Sequence, residues 1–127
     1  MIELIIITFV VFIICKLYKS YSRHIDKIKR AEKDIILFSS AVEKNPKNPR
    51  FYFLRGTCYH DLNNYRLAIY DYTKAFELNK DNQSYNFLSG NAVFSNYLIL
   101  KNRSSAKSEI GDKYGSKQDG ELALKYK

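Results

Sequence analysis

Glycine and proline are almost missing from the first part of this 127-residue chain: it holds five glycines and two prolines, and neither occurs between Met1 and Asn45. A loose, low-complexity N-terminal half is thereby excluded, and unbroken helix is favoured. Catalytic equipment is equally thin. The two histidines are His24, in a basic stretch, and His60, next to Asp61, where neighbouring helical positions point to different faces. No second His or Cys stands at ligand spacing, so no zinc site is expected. There is no nucleophile motif and no glycine-rich phosphate loop, so neither an enzyme class nor a cofactor follows. Cys15 and Cys58 are far apart in different surroundings, and Cys58 reads as a small core residue.

Positive charge exceeds negative by a formal +8, and the excess gathers in two places, Lys16–Arg30 and Lys101–Lys127. The first cluster directly follows an apolar run, LIIITFVVFIIC from Leu4 to Cys15. In that position basic residues read as a topology and lipid-headgroup signal. Nucleic acid is not the expected partner, because no aromatic-plus-basic reader motif accompanies the charge. Glu3 precedes the run while Lys16, Lys19 and Arg23 follow it, the reverse of a cleaved secretory signal. The expectation is therefore a transmembrane anchor over 1–18, a basic juxtamembrane segment over 19–27, and a single-pass membrane protein with the remainder on the cytoplasmic side. Without Gly or Pro to stop it, the anchor helix runs on as one rod, or kinks near Ser20–Ser22.

Compared with itself at an offset of 34, the chain pairs Ile35 with Ile69, Phe38 with Tyr72, Ala41 with Ala75, Glu43 with Glu77 and Asn45 with Asn79. Further on the same offset pairs Phe53 with Phe87, Leu54 with Leu88 and Gly56 with Gly90. Apolar and small residues recurring at helical spacing with such a period are the mark of a stacked repeat. Asn48 before Pro49 makes an N-cap and first-turn pair, Asn63 and Asn64 make a turn, and Asn82 can cap a further helix. Ahead of them Ile25, Ile28, Ile35, Phe38, Ala41 and Val42 form one helical stripe.

The stretch PRFYFLRGTCYHDLNNYRLAIYDYTKAFELNKDN, residues 49–82, resembles the tetratricopeptide repeat. Gly56 stands at the family's small position in the first helix, Tyr59 at its aromatic, and Ala68, Tyr72 and Ala75 at the signature positions of the second. Two departures are visible: Arg55 where Leu is commoner, and Lys80 where Pro is usual. The resemblance implies an all-α fold, here an N-terminal transmembrane helix followed by a short α-α superhelical repeat. It consists of a partial repeat over 28–48 (second helix only), a full repeat over 49–82, and a partial repeat over 83–102 (first helix). The basic polar tail, 103–127, is expected to be loose over 103–119, unless it folds back as a capping helix through Leu122, Leu124 and Tyr126.

Repeats of this kind hold proteins or peptides in a concave groove. The resemblance places Arg50, Phe53, Thr57, His60 and Asp61 along it from one helix, and Ser84, Phe87, Asn91, Phe94 and Ser95 from the next. Phe53, Phe87 and Phe94 then offer an apolar peptide face, or serve helix packing instead. The expected function is a membrane-held adaptor for a protein partner. The alternative is a structural subunit whose short repeat is completed by another copy or a partner chain.

Overall fold

A computed structural model describes residues 1–81 and 94–127, and within them the chain is helical. The described elements are α1 (Ile2–Lys44), α2 (Pro49–Asp61), α3 (Tyr65–Asn79), α4 (Asn96–Glu109), α5 (Lys113–Ala123) and a terminal 3-10 turn, Leu124–Tyr126. Contacts divide the chain into two units, Met1–Arg30 and Ala31–Lys127.

α1 is continuous over its 43 residues, with no break at Ser20–Ser22. Its first unit carries the apolar run, and Leu4, Ile7, Val11 and Ile14 are all exposed. Among the described residues, however, no helix is long and apolar enough to cross a membrane. The uninterrupted run from Leu4 to Cys15 covers about 18 Å at about 1.5 Å per residue, against a hydrocarbon thickness of roughly 30 Å. Glu3 closes it on one side and Lys16 and Lys19 on the other. The transmembrane anchor expected over 1–18, and the single-pass location with a cytoplasmic repeat, are corrected accordingly.

The second unit is built from the end of α1 and the helix pairs α2–α3 and α4–α5. Asn48 caps α2 by accepting from the Arg50 N–H at 3.0 Å, with Pro49 in the first turn. Asn63, at φ 59°, reverses the chain into α3. Between the helices of this pair Gly56 lies against Tyr72: a Cβ at Gly56 would come within 2.9 Å of the Tyr72 ring. Tyr72, Ala68 and Ala75 are fully buried and share a core with Phe53, Phe94, Ile99 and Ala106.

From Ser95 onward the structure departs from the sequence expectation. Ser95 caps α4 through the Leu98 N–H at 3.2 Å, and α4 and α5 form a second packed pair through the stretch expected to be loose. Ile99, Leu100 and Ala106 are fully buried, and Ala123 is 1% exposed. The pair stands 48 residues after α2–α3, not 34. That step carries Arg55 to Arg103, Asp71 to Asp119, Ala75 to Ala123, and the positive-φ Asn63 to the positive-φ Gly111. An insertion of about fourteen residues therefore separates the two pairs. The helix that the 34-residue offset sets over 83–97, with its Asn82 cap, lies almost wholly outside the described residues.

Candidate interaction face

Arg55, the first departure from the repeat pattern, proves to be structural. Its Nε and Nη2 donate to the two Asp71 oxygens, each at 2.8 Å, and its Nη1 reaches the Ser39 hydroxyl of α1 at 3.3 Å. Arg103 repeats this on the next pair: Nε and Nη2 donate to Asp119 at 2.7 and 2.6 Å, and Nη1 reaches Thr73 of α3 at 3.1 Å. Each guanidinium thus ties its own pair together and fastens it to the preceding helix, in the bidentate geometry that suits Arg to a carboxylate. Asp71 and Asp119 are buried, at 1% and 3% exposure, so their charges depend on these partners. The hydrogen bonds to Asp71 raise the Arg55 pKa further above its ordinary value.

With Arg55 turned to α1 and α3, and Phe53 and Gly56 turned to the core, Arg50, Leu54, Thr57 and Asp61 of α2 are spaced as one helical strip, in which Leu54 also packs against the core. Arg50, Leu54 and Thr57 are half-buried and Asp61 is exposed. The Thr57 hydroxyl donates to the Leu54 carbonyl at 2.7 Å. Moved by 48, the strip becomes Leu98, Asn102, Ser105 and Glu109 on α4; Leu98 and Asn102 are half-buried, Ser105 and Glu109 exposed. Together the two strips make a face with a leucine and hydroxyl centre and carboxylates at the helix ends.

The residues anticipated for a groove divide accordingly. Arg50, Thr57 and Asp61 lie on the strip. Phe53 and Phe94 do not: they are 8% and 6% exposed and meet each other edge to face at 5.4 Å, the packing use of both aromatics. His60 is half-buried, edge-on to Tyr65 at 5.3 Å, with Nδ1 3.4 Å from the Tyr72 hydroxyl. Ser95 is the α4 cap. Ser84, Phe87 and Asn91 lie outside the described residues. The α4 residues were missed because they follow the 48-residue step, and the signal that finds them is the recurring Arg–Asp spacing of sixteen.

The family model for the tetratricopeptide repeat matches residues 49–82, the α2–α3 pair and its flanks. Over these residues the chain is similar to that repeat. Among solved structures the chain is similar to the tetratricopeptide repeat domain of Arabidopsis OM64, at 21% identity and a TM-score of 0.61, covering 76% of this chain and 68% of that one. At that identity the likeness speaks for the fold, which is all-α and of the tetratricopeptide type. No curated protein matches. α4–α5 has the helix-pair architecture of the tetratricopeptide repeat while lacking its residue signature: where α2–α3 sets Gly56 against Tyr72, α4–α5 sets Ser104 against Gly120.

Proposed function

We propose that this chain is a protein-interaction adaptor that receives a peptide segment of its partner on the strip shared by α2 and α4. Tetratricopeptide repeats are interaction modules, and nothing in this strip resembles a reaction centre. The observation that supports the adaptor over a subunit needing completion is the α4–α5 pair. Here α5 carries Lys117, Gln118 and Glu121 exposed, with Lys117 and Glu121 3.9 Å apart. α4–α5 thus supplies a second helix pair beside α2–α3 within this one chain.

Leu54 and Leu98 supply the apolar contact, and Thr57, Asn102 and Ser105 the hydrogen-bonding groups, so the partner segment is one with an apolar side chain between polar positions. The test is selection of peptides from a random library on the full chain, followed by affinity measurements on Ser105→Arg and Glu109→Arg, both at exposed positions. A loss of tenfold or more in both, with unchanged melting, supports the reading; peptides that bind both variants as well as the parent refute it.

A further inference from the structure

The first unit is a stretch of the one helix α1, and its apolar residues keep a seven-residue order that continues past the run itself. Leu4, Val11, Tyr18 and Ile25 recur every seven residues; so do Ile7, Ile14, Tyr21 and Ile28, three further on. These are the a and d positions of four successive heptads, a seam of roughly 37 Å along α1. Of its members Leu4, Ile7, Val11, Ile14, Tyr18 and Tyr21 are exposed, Tyr18 by 73%, and Ile25 and Ile28 are half-buried. Apolar residues hold the a and d positions through four heptads of one uninterrupted helix, and from Lys16 onward polar flanks set them off as a seam.

The charges fit the same register. Lys16, Arg23 and Arg30 fall at f, Lys19 at b and Lys27 at c, all on the side away from the seam. The e and g positions beside the seam are Glu3, Thr8, Val10, Cys15, Leu17, Ser22, His24 and Lys29; the permanent charges among them are Glu3 and Lys29, at its two ends. A different partner helix is normally selected by opposite charge at e and g. Between Glu3 and Lys29 this seam offers none, and it carries little to repel an identical copy.

We infer that α1 pairs with the α1 of a second copy of this chain, in parallel and in register, through Leu4 to Ile28. The parallel order follows from the outward positions. In the first two heptads these are apolar as well, Ile5, Phe9 and Phe12 among them, and from Lys16 onward they are basic apart from Ser20 and Asp26. Pairing in parallel sets apolar half beside apolar half; the antiparallel order would lay each apolar half along a basic one. Two copies then place two adaptor strips on one particle, which raises the apparent affinity for a partner carrying two segments.

The test uses the full chain in a mild non-ionic detergent, with Cys15→Ser as background. Tyr21→Cys, at d, is expected to oxidise to a covalent dimer at least tenfold faster than Arg23→Cys, at f. Equal rates, or no dimer from Tyr21→Cys, would overturn the parallel seam. Sedimentation of Ile14→Asp and Lys19→Asp separates the seam from general stickiness. The first is expected to weaken the dimer at least a hundredfold and the second to leave it unchanged; equal effects, or a parent that sediments as a monomer, would overturn the pairing.

Discussion

Arg103 and Asp119 face each other across α4 and α5 through two parallel bonds of 2.7 and 2.6 Å, and Arg55 and Asp71 do the same across α2 and α3 at 2.8 Å. In both pairs the remaining guanidinium nitrogen bonds a hydroxyl of the helix before, Ser39 or Thr73. The recurrence marks α4–α5 as a repeat even though its sequence signature has been lost.

Because the Asp119 side chain is buried, removing its main partner leaves a carboxylate with Lys107 alone, 2.9 Å away. Arg103→Ala is expected to lower stability by about 3–5 kcal/mol, the cost typical of half a buried ion pair. Replacing both residues by leucine is expected to cost clearly less. Urea melts of the two variants check the order.

Gly56 and Gly120 occupy opposite members of their helix pairs, and the space beside them differs. A methyl group at Gly56 meets Tyr72 at 2.9 Å and the Asp71 Cβ at 3.2 Å, whereas at Gly120 the nearest atom is the Ser104 Oγ at 3.9 Å. Gly56→Ala is expected to destabilise by about 1–3 kcal/mol through overpacking. Gly120→Ala is expected to stabilise by about 0.5–1 kcal/mol through helix propensity. Thermal melts of the two should move in opposite directions.

Burial pushes the Cys58 thiol up from 9.0 to about 11, and nearby Asp34 and Asp61 add to the effect. A thiol is uncharged when protonated, so the raised folded pKa gives stability that is complete below about pH 9 and is lost as pH rises through about 11. A shift of this size amounts to about 2–3 kcal/mol. Burial pushes the Tyr72 hydroxyl up as well, in the same direction. Denaturant midpoints are expected to be flat near neutrality and to fall above pH 9, less steeply in Cys58→Ala. A thiol reagent at pH 8 should modify exposed Cys15 promptly and Cys58 at the rate of local opening.

The parts legible in the sequence were those written in residue type at fixed spacing. Gly56, Ala68, Tyr72 and Ala75 announced the α2–α3 pair, and Asn48 and Pro49 announced its start. The second helix pair, α4–α5, was hidden for two physical reasons. An insertion of about fourteen residues broke the 34-residue period, and the packing at the crossing was solved differently, with Gly120 and Ser104 in place of Tyr72 and Gly56. Phe53 and Phe94 were ambiguous because an aromatic on a first helix serves groove and core equally well by type; their contact with each other settles the use. At the N-terminus the hydropathy of Leu4–Cys15 was plain, but its length and its charged ends fall short of a span.

Native-state hydrogen exchange on the full chain tests most directly the claim that α4–α5 is a folded repeat forming the second wall of the interaction face. The account predicts that amides of Ile99, Leu100 and Ala106 exchange within about tenfold of those of Ala68, Tyr72 and Ala75, as one cooperative unit. Exchange of the α4 and α5 amides at unfolded-chain rates, with α2 and α3 still protected, would contradict it.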